Sequence, residues 1–252
     1  MSALWWGGSS VVTKLCLAID KSAIKRYERI RDSKYVLTSF YYYKERLPFE
    51  PELHLVDSGA FTMFSSTKAI DIDEYVKQYI DYINKYDIRY YFELDIDSVV
   101  GYKKVLDIRD RLECGTGKQC IPVWHHSRGK DEFIKMCKEY NYAAIGGIAS
   151  KECIVNHKDK FILLNKLAKQ HGCKLHGLGA TGKDIDKMGF YSVDSTSWIS
   201  GWKFGQIHKF NGTAIRSRGT SDKKCINGRV LNEHNLNEWL KYQEYLKGVN
   251  IV

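Results

Sequence analysis

Proline is scarce in this chain, 3 residues in 252, and no stretch approaches the roughly 18 uninterrupted apolar residues that a membrane helix needs. Low-complexity tracts, internal repeats and Pro/Ser linkers are absent, which excludes a fibre, a solenoid and a string of small domains. Cysteine is not rare, but the seven (positions 16, 114, 120, 137, 153, 173 and 225) are odd in number, scattered, and never spaced as CxxC or CxC. Neither a disulfide framework nor a zinc knuckle is therefore indicated, and the thiols read as small apolar residues of a reducing compartment. The start, MSALWWGGSSVV, has no basic n-region of the kind a signal peptide carries, so the expected location is the cytoplasm. Acidic charge is also in deficit: 39 Lys+Arg face 30 Asp+Glu, a formal net charge of +9, which favours a polyanionic partner such as nucleic acid.

What the chain does contain is an ordinary hydrophobic content, 44%, spread along its whole length as short apolar runs that alternate with amphipathic stretches. The runs are YVLTSF (35–40), LHLVDSG (53–59), YYFELDI (90–96), CIPVWH (120–125), YAAIGGI (142–148), KLHGLGA (174–180) and FYSVDS (190–195), all of strand length and rich in β-branched and aromatic residues. Between them Ile72, Tyr75, Val76, Tyr79, Ile80 and Ile83 follow helical spacing behind a capping box of Asp71 and Glu74. Shorter helical patterns occupy about 101–112, 130–140, 159–170 and 182–188. Apolar strands alternating with helices imply a parallel sheet covered by helices. An eighth strand near GQIHKF (205–210) or KLCLAI (14–19) makes a single (β/α)8 TIM-like barrel over 1–252 the expected fold, with an open doubly wound sheet as the alternative. A Rossmann fingerprint is missing, because no GxGxxG joins a strand to a helix.

In such folds ligands bind at the carboxyl ends of the strands. Four of the runs end in acids or glycines: Asp57-Ser58-Gly59, Asp95-Ile96-Asp97, Gly146-Gly147-Ile148 and Asp194-Ser195. One strand-terminal Asp is accounted for as a helix cap, but several converging on one mouth supply a nucleophile, a general acid/base and a hydrogen-bond acceptor. Gly146, Gly147, Gly177 and Gly179 stand where a flat ligand would approach the backbone, or where a tight turn needs no side chain. Of His125 and His126, only one can face a site if the strand runs through both. The Asp95-x-Asp97 pair is compatible with a divalent ion, but no HxH, HExxH or close Cys/His set accompanies it, and no metal or other cofactor is expected.

DSGAF (57–61), LDIDS (94–98), AIGGIAS (144–150) and HGLGATGKDIDKMGFYSVDSTSW (176–198), in this order, resemble the barrel motifs of the tRNA-guanine transglycosylase (queuine tRNA-ribosyltransferase) superfamily, over about 57–200. That family's Cys-rich zinc site has no counterpart here, since 200–252 contains only Cys225, so no zinc-binding subdomain is expected. The chain is more similar to the short, zinc-less relatives encoded by phages and in bacterial DNA-modification clusters, which insert 7-deazaguanine bases into DNA.

The resemblance implies a role for each matching position. Asp194 matches the nucleophile that attacks C1′ of deoxyguanosine, and Asp57 the general acid/base. Asp95, or Asp97 in a shifted register, matches the acid that reads the guanine edge. Gly146, Gly147 and Ile148 would present backbone groups to the base, with Ser58, Gly59, His125, Gly177 and Gly179 completing the substrate pocket. The partners implied are duplex DNA, with one base flipped out, and a free 7-deazaguanine base.

Such a substrate calls for aromatic platforms, for which Tyr41 to Tyr43, Trp198 and Trp202 are candidates, and for phosphate-binding cations. Arg216, Arg218, Lys223, Lys224 and Arg229, in the basic segment of about 205–252, are the candidates for the latter, though a solvated basic surface has the same composition. Three rivals stay open: the same exchange on tRNA, a nucleoside hydrolase using the same acids, and a nucleic-acid-binding barrel without catalysis.

Overall fold

The computed structural model describes residues 12–65, 71–149, 151–219 and 227–248. Seven short apolar runs form one parallel sheet: β1 (Lys14–Ile19), β2 (Tyr35–Ser39), β3 (Leu53–Asp57), β4 (Val123–Trp124), β5 (Tyr142–Ile145), β6 (Lys174–Gly177) and β7 (Ser192–Ser195), in the order β3-β2-β1-β7-β6-β5-β4. The register sets Cys16 of β1 beside Asp194 of β7 and Ser39 of β2 beside Asp57. The sheet is curled. Leu55 of β3 and Val123 of β4, from its two edges, share one buried cluster with Cys16, Leu37, Phe92, Ile121, Tyr142 and Ala144, which places these side chains on the concave face. Two further clusters fill the layer between the sheet and its helices.

One open choice in the sequence reading is settled here and one expectation is corrected. The extra strand is KLCLAI, which is β1 at the centre of the sheet. GQIHKF instead becomes β8 (Gln206–Phe210), paired antiparallel with β9 (Ile215–Gly219) in a separate hairpin. The run YYFELDI forms no regular strand: Tyr91 and Phe92 make isolated parallel bridges to Val56 and Ile121, and the chain then leaves the sheet. Val56 N–H donates to Tyr90 O at 3.0 Å and Ile121 N–H to Tyr91 O at 2.7 Å, so edge strand β3 and the chain just ahead of β4 both reach this one stretch.

The helices are α1 (Lys21–Arg26), α2 (Ala60–Ser65), α3 (Ile72–Lys85), α4 (Asp97–Val100), α5 (Tyr102–Thr116), α6 (Gly129–Glu139), α7 (Lys151–Asn156), α8 (Lys158–Gln170), α9 (Ser200–Phe204) and α10 (Gly228–Gly248). Helix α3 starts where the capping pattern places it: Asp71 Oδ1 accepts from the amides of Asp73 and Glu74 at 2.9 and 3.3 Å, satisfying donors that the first turn leaves orphaned. Its buried face carries Tyr79, whose hydroxyl lies 3.1 Å from both Val56 O and Phe92 O, fastening the 90–93 stretch to β3. The 182–188 pattern shrinks to one 3-10 turn, Ile185–Lys187.

Helix α10 packs Trp239, Tyr242 and Leu246 into the core, and Gln243 staples the starts of β1 and β2. Its amide donates to Leu15 O at 2.6 Å and Tyr35 O at 3.1 Å, while its oxygen accepts from Lys34 N at 2.9 Å. Among the described residues no helix is long and apolar enough to cross a membrane.

Candidate active site

Because the strands are parallel, their carboxyl ends gather on one side of the sheet, and three acids meet there. Asp57 closes β3, and the chain must then turn sharply. Gly59, with φ +72°, makes the turn; a Cβ on it would lie 2.5 Å from Tyr41 Cβ and 2.6 Å from Ser39 Oγ, so no other residue fits. The Gly59 amide donates to Asp57 Oδ2 at 3.0 Å, and buried Ser58 uses its carbonyl to accept from Tyr75 Oη at 2.6 Å. Burial pushes the Asp57 carboxyl up to about 6, with the charges of Asp194 and Asp95 adding and the Gly59 amide opposing.

Asp194, on β7, is held from behind. Its Oδ1 accepts from the Gly179 amide at 2.6 Å and from His176 Nε2 at 3.1 Å. The fully buried His176, on β6, places Nδ1 2.6 Å from Ser192 Oγ, which is hydrogen-bonded in turn to Tyr142 Oη. Among the described residues no donor reaches Oδ2 of Asp194. Sequence reading had selected neither His176 nor Ser192, although the latter sits two residues before Asp194 and so shares its face of the strand.

The third acid belongs to a wetter cluster. His125, just past β4, directs Nε2 to both oxygens of Asp95 at 2.8 Å. That hydrogen bond raises the His125 pKa above its ordinary value, its burial opposing. Gly146 makes room for the ring: a Cβ there would lie 2.4 Å from His125 Cε1. The Arg128 guanidinium donates to Asp97 Oδ2 from Nε and Nη2 at 3.0 and 2.7 Å, lies 3.7 Å from Asp95 Oδ1, and covers the Tyr102 ring at 4.2 Å. Burial would raise the Asp97 carboxyl, but the Arg128 hydrogen bonds and charge outweigh it and hold the group below the usual range. Asp97 is thus an ion-pair partner of Arg128, and Asp95 is the acid paired to a histidine.

The chain matches no known family model and no curated protein.

One ligand atom each from Asp95, Asp97 and His125 fall within 4.8 Å of one another, the one such group of metal-ligating side chains among the described residues. A cation here would compete with Arg128, which already occupies the carboxylates. The remaining predicted pocket residues divide by function. Gly179 contributes its amide to Asp194, while Gly177 is needed for packing, since a Cβ there would meet Ala180 Cβ at 2.7 Å. Gly147, at φ +73°, turns the chain past the His125 ring, and buried Ile148 follows it. With His125, these two line one wall of a cavity of about 360 Å³ that continues to His126, His157 and Lys160.

Arg216 and Arg218 are exposed on β9, where the pairing puts Lys209 opposite Arg216 and Ile207 opposite Arg218 on one outward face. The opposite face packs on α10, with His208 buried. Arg229 is exposed in the first turn of α10, and Lys223 and Lys224 lie outside the described residues. Of the aromatic candidates, Trp198 is fully buried, with Nε1 donating to Ala18 O at 2.9 Å, and Tyr43 is buried too. Trp202, however, is 63% exposed, as is Phe204 on the same short helix.

Proposed function

We propose that this chain is a base-exchange transglycosylase, replacing guanine in DNA by a 7-deazaguanine base, on a TIM-like barrel in which residues 90–93 supply the strand between β3 and β4. The observation that carries the reading is the unequal treatment of two acids at one mouth. Asp57 is raised to about 6, so a minor fraction of it still holds a proton near neutrality, while Asp194 offers N–H donors one oxygen and leaves the other open. Two carboxylates set apart by their surroundings are what acid-assisted nucleophilic displacement requires.

In the first half-reaction a bond forms between Asp194 Oδ2 and C1′ of a deoxyguanosine as the C1′–N9 bond breaks. The electron pair goes to the purine, and Asp57 delivers the proton that makes it neutral guanine. In the second, Asp57 takes the proton from the incoming base, whose nitrogen attacks C1′ and releases the Asp194 carboxylate. No proton or electron is gained or lost over the cycle. His125 and Asp95 present a donor and an acceptor suited to a purine edge, beside the backbone of Gly147 and Ile148.

DNA as the polymer is supported by the outward Lys209, Arg216 and Arg218, and by Trp202 and Phe204, exposed on the helix that follows the nucleophile strand. The deciding experiment is incubation with duplex DNA and labelled 7-deazaguanine base. Label should enter the DNA, Asp194→Ala should abolish incorporation, and Asp194→Asn should still bind DNA. Entry into tRNA instead would overturn the polymer, and release of free base without exchange would make the protein a hydrolase.

A further inference from the structure

The chain of side chains behind Asp194 is built in one direction. A carboxylate oxygen only accepts, so the His176 nitrogen 3.1 Å from Asp194 Oδ1, Nε2, carries the hydrogen. In the neutral imidazole Nδ1 is then an acceptor, which obliges the Ser192 hydroxyl, at 2.6 Å, to donate to it. With its hydrogen committed, Ser192 Oγ accepts from the Tyr142 hydroxyl, the last donor of the series. Every member is buried: His176 and Ser192 are fully excluded from solvent, and burial, foremost, drives the Tyr142 phenol well above its ordinary pKa, so it keeps its proton. The His176 ring is pinned as well by packing, its centroid 5.1 Å from that of Phe92.

From this geometry we infer that Tyr142, Ser192 and His176 form a positioning relay that fixes the tautomer and orientation of His176, so that Asp194 is clamped through Oδ1 and presents Oδ2 alone for attack. His176 does not touch the substrate; it acts through Asp194, with the Gly179 amide as the second point of the clamp. A carboxylate held at one oxygen by two N–H donors cannot rotate to exchange its oxygens, which is the preorganisation a nucleophile needs. The catalytic consequence rests on the transglycosylase reading, whereas the tautomer and the clamp do not.

The test therefore has two arms. In the first, nitrogen NMR of the ¹⁵N-histidine-labelled full chain should show His176 protonated on Nε2 with Nδ1 as a hydrogen-bond acceptor, and Ser192→Ala should turn this single tautomer into a mixture. In the second, formation of the covalent protein–DNA adduct is followed in a single turnover beside the Kd for DNA. His176→Leu should slow adduct formation about 100-fold with Kd within about twofold, and His176→Gln, whose amide can still donate to Asp194, should recover most of that rate. Tyr142→Phe, at the far end, should cost about threefold. Thermal melting of each variant separates loss of fold from loss of rate, and the Gln variant carries the test should Leu fail to fold.

A proton on Nδ1 would overturn the relay, as would a His176→Leu protein that melts like the parent and forms adduct at the parent rate. Should the parent form no adduct at all, the transglycosylase reading falls, and the NMR arm still decides the relay.

Discussion

Two Asp–His pairs stand at the mouth of the curled sheet, and they differ in almost everything but their chemistry. In the Asp95–His125 pair both side chains are about a quarter exposed, the ring reaches both carboxylate oxygens, and a guanidinium stands alongside. In the Asp194–His176 pair the ring has no exposure, only one oxygen is engaged, and a hydroxyl chain leads away from solvent. The first can exchange its partner for a ligand without leaving a polar atom stranded, because water or the ligand replaces it. The second cannot, since a buried donor or acceptor that loses its partner costs about 1–3 kcal/mol. The same two residue types thus stand open to solvent in one place and are locked behind it in the other, and solvent access makes the difference.

After loss of Asp194 itself, the largest expected effect falls on the acid that belongs to neither pair. Asp57→Asn should lower base exchange by about 10³-fold, because an amide cannot carry the proton to the leaving purine. The same change should stabilise the fold near neutral pH. Asp57 titrates near 6 in the folded protein, above an unfolded carboxylate near 3.9, so its favourable contribution is complete below about pH 4 and is lost as pH rises through 6. Melting of the parent and of Asp57→Asn should therefore coincide below about pH 4, diverge as pH rises from about 4 to about 6, and stay apart above that by on the order of 2 kcal/mol.

Next comes the open pair. His125→Gln should raise the KM for the incoming base by about tenfold or more while leaving single-turnover adduct formation near the parent rate, the reverse of His176→Leu; an equal loss in both steps would erase the distinction between the pairs. The raised pKa of His125 adds a stability signature. Its contribution is complete below about pH 6.5 and fades as pH rises through the elevated value, so Asp95→Asn should destabilise the protein more at pH 6 than at pH 9. Gly146→Ala should have a smaller effect of the same kind, weakening base binding severalfold by pushing the His125 ring off Asp95. The smallest effect is at the periphery: each of Arg216→Ala and Arg218→Ala should reduce the salt dependence of DNA binding by about one counterion, with the adduct rate unchanged once DNA is saturating.

How far the sequence was legible follows from the same contrast. Strand-end acids are visible because they interrupt an apolar run, so Asp57, Asp95 and Asp194 could be selected without a structure. His176 was hidden because it lies inside a strand, in KLHGLGA, where period-two alternation states that it faces one side and does not say which. Its partnership with Asp194 depends on the β6–β7 pairing, a long-range fact. The glycines were recognised as places where a side chain is not tolerated, but only the packing shows that the His125 ring fills the space at Gly146. The extra strand stayed open between two candidates because KLCLAI and GQIHKF are both of strand length; what separates them is that β8 turns back on β9 and presents His208 and Phe210 to α10.

The staple made by Gln243 bears on the order in which the protein can mature. Leu15 and Gln243 are 228 positions apart, and β1 also waits for β7, synthesised far later, to become its neighbour. On the ribosome β1 can pair with β2 early, but it must remain without its other strand neighbour, β7, and without α10 through most of elongation, and contacts of such sequence separation slow folding. A nascent or truncated chain lacking α10 would therefore leave β1, the strand beside Asp194, unsecured at its base, and Asp194 without a fixed neighbour, until that helix has emerged and docked.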